Sequence, residues 1–318
     1  MGKFANLLSL AVAWLLVFGL FSYFVPSSFP TLGNLETLAR QTTIVAFAAI
    51  GMTYVIISGA IDLSVGSMVA LVTVMIAWLL QRGVSPLLAA GAGIGVGLIA
   101  GAVNGFLTTK LKVGSFIVTL GSLLLIRGVA KGLANEQKID APITWLSDLL
   151  ATLSQKDKWM ILPIGVWLLI LLAIVGALIL NRTVFGRNVV AIGGNEEAAR
   201  LCGIRIDSTR TAVFAVGGLF AGLAGLMQFS RLTVGDPTVA VGLELDVIAA
   251  VVIGGGSLSG GQGSIAGSLL GAIVMSTIRA GTSQMGLPNW VQEIVTGSII
   301  VAAVALDRWR ITRTLATA

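Results

Sequence analysis

The sequence predicts an all-α polytopic membrane protein of about ten transmembrane helices, some of them broken or re-entrant. Three observations carry this expectation. Hydrophobic residues make up 56% of the 318, charged residues only 11%, and the mean hydropathy is +0.98, whereas a soluble domain needs about 25% charged residues to cover its surface. The apolar residues fall into stretches of roughly twenty, each long enough to cross about 30 Å of hydrocarbon. The 40 glycines suit helices that associate in lipid by close backbone approach, since no hydrophobic drive separates helix from lipid there.

In chain order the spans are expected near 8–25, 42–60, 64–80, 87–108, 114–132, 160–180, 211–230, 242–254, 264–280 and 290–306. The first follows Lys3 and resembles a signal peptide at its start. It is long, shows no small-residue cleavage site and precedes further spans, so it reads as the first crossing. The second and third are barely separated and the eighth is short. Such interrupted segments are tolerated where protein or a cavity surrounds them.

Loop charge supplies a direction. With Lys3 in the cytoplasm, the inner loops carry Lys110, Lys112, Arg182, Arg187, Arg200, Arg205 and Arg210, and the tail carries Arg308, Arg310 and Arg313. In the outer 133–159 segment Lys138, Lys156 and Lys158 are matched by Glu136, Asp140, Asp148 and Asp157. Basic residues thus gather inside, as the positive-inside rule requires, with both termini cytoplasmic. Trp145 and Trp159 suit an interface where an indole is half wet. The same layout assigns the net charge of +6 and the pI of about 9.9 to membrane orientation rather than to nucleic acid. Cys202 is the only cysteine and there is no histidine, which excludes an intrachain disulfide, histidine metal ligands and histidine acid–base catalysis. No metal or catalytic cluster is expected.

The inner loop 181–210 is the sizeable cytoplasmic piece. Gly193 and Gly194 break the chain, Asn195 is a good N-cap, and Glu196 and Glu197 suit the positive end of a helix dipole. Ala198, Ala199, Arg200 and Leu201 propagate a short helix that Gly203 ends. A solvated connector is the plainer reading of the same residues.

Residues 258–262 read Leu-Ser-Gly-Gly-Gln, the signature pentapeptide of ATP-binding-cassette ATPases. No phosphate-binding loop accompanies it: the only Gly-Lys pair is Gly2-Lys3, and nucleotide hydrolysis needs a glycine-rich loop with lysine and Ser/Thr. The pentapeptide is therefore read as coincidental, a flexible turn leading into a helix with Gly263, Gly267 and Gly271 at four-residue spacing. The same spacing at Gly97, Gly101 and Gly105, and at Gly218 and Gly222, indicates helix packing.

Asp62, with Ser64, Gly66 and Ser67, sits between two apolar spans, where a charge at the bilayer centre costs about 2.5–3.5 kcal/mol. Either it caps the next helix at the membrane surface, or it lines a polar substrate path. Glu244 and Asp246 pose the same choice, and there the outer surface is the expectation. Asn104, Ser115, Thr119 and Ser122 offer hydroxyl and amide partners to a polar solute, although Ser and Thr in spans commonly bond their own backbone.

Three stretches together carry a family resemblance: GMTYVIISGAIDLSVGS at 51–67, FGRNVVAIGGNEEAARLCGI at 185–204 and LDVIAAVVIGGGSLSGGQGSIAGSLLGA at 245–272. They resemble the permease subunits of bacterial ABC sugar importers of the ribose/galactose type, over nearly the whole chain. The resemblance implies a single permease domain, 1–318, of type II ABC-importer fold in the bacterial inner membrane. It implies a homodimer enclosing one pathway for a monosaccharide, with a periplasmic sugar-binding protein docked outside. ATP and Mg would belong to a separate cytoplasmic ATPase, leaving this chain without a cofactor. The ATPase would grip the short helix at Gly193, Gly194, Asn195, Glu196, Glu197, Ala199, Arg200 and Gly203. The alternative is an ion-coupled secondary transporter or channel. Such proteins place ionisable relays in mid-membrane, and this chain offers few.

Overall fold

The computed structural model describes residues 3–153 and 158–316. Lys156 and Asp157 lie outside the described residues, as do the side chains of Lys3, Lys158, Arg308, Arg310 and Arg313. The described chain is helical almost throughout. Its apolar helices are α1 (Lys3–Phe24), α2 (Leu32–Ile57), α3 (Val65–Gln81), α4 (Pro86–Leu111) and α5 (Ser115–Leu133). After β1 (Ile139–Asp140) and α6 (Trp145–Asp148) come α7 (Ile164–Arg182), α8 (Val184–Gly194), α9 (Glu196–Leu201) and α10 (Ile206–Leu232). The chain continues through β2 (Val234–Gly235), α11 (Leu243–Ile253), α12 (Ile265–Gln284) and α13 (Asn289–Ala316). Among the described residues, seven helices are long and apolar enough to cross a membrane: α1, α2, α4, α5, α7, α10 and α12. Each of the ten apolar stretches expected from the sequence coincides with one helix.

Burial sorts these helices. Residues 46–57, the second half of α2, are buried without a break, as befits a helix apolar on every side and surrounded by others. Helices α10, α12, α11 and α7 pack around it. By contrast α1, α5 and α7 turn large apolar side chains outward, among them Leu16, Leu124, Leu125 and Leu171. In a bilayer that outward surface meets acyl chains, so its exposure costs nothing there.

The tightest contact joins α4 to α10. A Cβ at Gly97 would lie 2.6 Å from the Gly218 carbonyl oxygen and 2.8 Å from Gly222 Cα, and one at Gly105 would lie 2.7 Å from Thr211 Cα. Gly101 Cα and the Gly218 backbone likewise leave no room for a side chain on either. Gly267 and Gly271 perform the same service for α12, facing the Gly254 and Ala250 backbones of α11. Gly263 differs from expectation. It precedes α12, whose N-cap is Ser264, its hydroxyl accepting from Gly267 N at 3.1 Å; Gly263 lies against Ile57 instead.

Two interruptions shape the interior. Residues 58–64 run non-helically between α2 and α3, and α11 has only 11 residues, about 16 Å of helix. Both are wrapped by protein, where irregular backbone finds partners. At the far end from α9, β1 pairs antiparallel with β2, Ile139 opposite Gly235 and Asp140 opposite Val234. Lys138 reaches Asp236 at 3.2 Å, and Ser230 Oγ accepts from Leu150 N at 2.9 Å while donating to Ser147 O. The described part of the 133–159 segment is therefore a fixed cap. Trp145 and Trp159 are both exposed on it.

A Gly101→Val variant places a branched side chain against the α10 backbone, which neither helix can withdraw without separating. Overpacking of this kind costs about 1–3 kcal/mol or more. The expected result is loss of monodisperse protein and a lowered melting transition in fluorescence-detected size-exclusion chromatography, whereas Gly95→Ala, with open space at its Cβ, should behave as wild type.

Candidate functional site

Where α3, α4 and α5 meet, the polar residues expected along a substrate path come together. Asp62 Oδ1 accepts from Ser64 N at 2.8 Å and from Ser64 Oγ at 2.6 Å. Ser64 Oγ in turn accepts from Asn104 Nδ2 at 2.8 Å, and Asn104 Oδ1 accepts from Ser122 Oγ at 2.6 Å. Ser67 Oγ donates to Leu123 O at 2.8 Å, and Thr119 Oγ1 to Ser115 O at 2.9 Å. Ser115 Oγ accepts from Ile61 N.

Asp62, Ser64, Ser67, Asn104, Thr119 and Ser122 are all buried, while Ser115 is partly so. The Asp62 carboxylate organises the turn into α3 and is enclosed by protein rather than exposed. Its Oδ2 is left without a partner. The network spends its hydrogen bonds on itself and pins three helices to the broken segment 58–64. Glu244 and Asp246, expected toward the outer side, are enclosed by protein rather than open to solvent. Asp246 is 3% exposed and Glu244 partly buried, because α11 lies among α2, α3, α12 and α13. Glu244 reaches over Gly66 at the start of α3, where any side chain would displace it.

The second site is α9. Asn195 Oδ1 accepts from Ala198 N at 2.9 Å, capping a six-residue helix with Glu196 and Glu197 in its first turn. Ala199 faces inward, and Gly203, at φ +81°, takes the left-handed conformation that ends the helix. Gly193 and Gly194 do not stand alone as a break: they finish α8, a helix with Gly186, Val189 and Ile192 buried, where a loop is expected from the sequence. Glu196 accepts from Arg210 at 2.8 Å and from Arg200 at 3.1 Å, which ties α9 to the first turns of α10. The hydrogen bond from Arg210 holds the Glu196 carboxyl below its ordinary value, against the opposing effect of its partial burial. Cys202, just past α9, is exposed.

The pentapeptide 258–262 packs against the end of α8, from which α9 follows. Gly261 N donates to Ile57 O at 2.8 Å, at the end of α2. A Cβ on Gly260 would lie 2.6 Å from Gly193 O and 2.9 Å from Gly59 Cα, and one on Gly261 would lie 3.0 Å from Gly194 Cα. Gly260 and Gly261 both have positive φ. The turn is thus a fixed backbone-to-backbone joint between α8, the end of α2 and the start of α12, rather than a flexible linker. Sequence reasoning missed the joint because its signal, glycine at 59, 193, 194, 260 and 261, is spread over three distant stretches.

These features define a polytopic permease whose one end presents a capped helix mounted on a glycine joint. The chain belongs to the family described as branched-chain amino acid transport system / permease component, which matches residues 34–304. It is 37% identical over 296 residues to the ribose import permease protein of Escherichia coli, covering 93% of this chain and 92% of that one. It is 34% identical over 309 residues to the L-arabinose transport system permease protein of the same organism, covering 97% and 92%. The xylose transport system permease protein of Escherichia coli is 35% identical, covering 90% and 88%. No solved structure matches the chain.

Two outcomes test this geometry. Asn104→Leu removes one donor and one acceptor from a buried chain and strands Ser64 and Ser122, which should cost about 1–3 kcal/mol and lower the melting temperature. The Glu196 carboxyl has a folded value below 4.5, its unperturbed one, so its contribution to stability is complete above pH 4.5. It vanishes as pH falls through the lower folded value. The melting-temperature difference between wild type and Glu196→Gln should accordingly be small at neutral pH, as expected of a partly exposed ion pair, and close to zero in strong acid.

Proposed function

We propose that the chain forms the transmembrane pathway of an ATP-binding-cassette importer for a monosaccharide of the pentose class. The observation that carries the reading is the mounting of α9. An importer driven by a separate motor needs a rigid lever on its inner surface, connected to the helices that must move. Here α9 is capped, held to α10 through Glu196 and Arg210, and seated through Gly193 on the end of α2 and the turn before α12. The substrate class is supported by the ribose, L-arabinose and xylose permeases to which the chain is similar.

In this reading a cytoplasmic ATPase binds ATP and Mg and grips α9 at Gly193, Gly194, Asn195, Glu196, Glu197, Ala199, Arg200 and Gly203. A second copy of the chain completes the pathway, a periplasmic binding protein delivers the sugar, and both termini lie on the cytoplasmic side of the inner membrane. The permease itself does no chemistry. Its inward- and outward-open packings differ by a free energy that ATP binding reverses, and helices shift as rigid bodies when the two α9 levers are drawn together.

The test is charge reversal at the lever. Glu196→Lys with Glu197→Lys, assembled with ATPase and binding protein in proteoliposomes, should abolish most ATP-driven uptake of D-ribose, L-arabinose or D-xylose while ATP hydrolysis continues. Normal uptake by that variant removes the coupling assignment. Wild-type uptake that ignores ATP and collapses with the proton gradient removes the importer reading itself.

A further inference from the structure

At the end of the bundle opposite α9, a cavity of about 350 Å³ lies between the first half of α2, the last turns of α10 and α12, and the start of α11. That volume falls at the small end of the range for ligand pockets, about 300–1,000 Å³. Its polar lining includes Gln41, Gln228, Arg231, Asp246, Ser276 and Arg279.

Within that lining the hydrogen-bonding capacity is conspicuously unspent. Asp246 Oδ2 receives Arg279 at 2.6 Å, but its Oδ1 is buried without a partner. Ser276 Oγ is buried and equally unpaired. Asp246 is 3% exposed, Ser276 5% and Gln228 7%. Gln41, Gln228 and Arg231 make no side-chain hydrogen bond or ion pair to any described residue. Buried polar groups are nearly always satisfied, and each exception calls for an explanation. Asp246 and Ser276 both line this one space.

The chemistry of those groups selects what would satisfy them. The orphan carboxylate oxygen of Asp246 accepts only, so it needs a donor and repels an anion. The guanidinium groups of Arg231 and Arg279 donate only and repel a cation. The unpaired hydroxyl and amides do both. A neutral ligand carrying several hydroxyls, each donor and acceptor at once, meets all of these demands together. Ile44 and Leu243, also in the wall, offer an apolar surface to the C–H face of a ring.

We propose that this cavity is a monosaccharide-binding site within the membrane domain, bound by Asp246, Ser276, Gln228 and Arg231. The proposal rests on the importer reading for its substrate class. Location gives the site a place in the cycle. Helix α12 starts at the glycine joint against the end of α8 and carries Ser276 and Arg279 in its far half. Over 20 residues it spans about 30 Å, so a rigid shift at the joint displaces the wall that carries both. Sugar is therefore held in one state of the lever and released in the other.

Ser276→Ala separates this role from a structural one. Its hydroxyl has no partner in the protein, so its removal should leave the melting temperature unchanged or raised. As a ligand contact, its loss should weaken uptake of the transported sugar about two- to tenfold in proteoliposomes containing ATPase and binding protein. Gln228→Leu should do the same. Saturation-transfer NMR on the complex in nanodiscs, with D-ribose, L-arabinose and D-xylose as probes, should show contact with at least one sugar in wild type and less in both variants. Ribose 5-phosphate should show none. Wild-type uptake kinetics in both variants would overturn the site, as would a signal from ribose 5-phosphate alone. Failure of the wild type to import any of the three sugars with ATP sinks the importer reading instead; the NMR contact still decides the cavity.

Discussion

Backbone-to-backbone contact at glycine is the constraint on which the rest of the structure depends. In hydrocarbon, an apolar helix gains little by exchanging lipid for another apolar helix, so packing must come from dispersion at very short range. Helices α4 and α10 reach that range through Gly97, Gly101, Gly105, Gly218 and Gly222, and α11 and α12 through Gly254, Gly267 and Gly271. These contacts surround α2 closely enough to bury it. Only then can the irregular segment 58–64 exist inside the protein, because its polar backbone has neighbours to bond.

That enclosure also explains the interior's two contrasting treatments of polar groups. Around Asn104, each hydroxyl and amide is used within the protein, and the result is a rigid tie between α3, α4 and α5. Around Asp246 and Ser276, capacity is left over. Desolvating a polar group without a partner is expensive, so the first arrangement stabilises the fold and the second is a cost that the fold tolerates. Both sets consist of ordinary span residues, and only their neighbours distinguish them.

The helices were legible in sequence because apolar runs of about twenty residues have few alternatives in water or lipid. Asn195 with Glu196, Glu197 and Gly203 was equally legible, since capping is a local matter of a few residues. Depth was not. Asp62, Glu244 and Asp246 sit beside apolar runs much as interfacial residues do, and their burial follows from the wrapping of broken segments by distant helices. The pentapeptide 258–262 shows the same limit. The missing phosphate loop is a feature of sequence alone, but the pentapeptide's seat against Gly193 and Gly59 requires three remote stretches to converge.

Cys202 gives the mounting of α9 a practical consequence. It is the chain's single cysteine, it is exposed, and it closes the last turn of α9, the proposed lever. A thiol-reactive spin label therefore attaches at one position without any mutagenesis. In the proposed assembly of two copies, the separation between the two labels would be a direct ruler for the proposed lever closure. Dipolar spectroscopy on the unaltered protein would then read the proposed nucleotide-dependent motion.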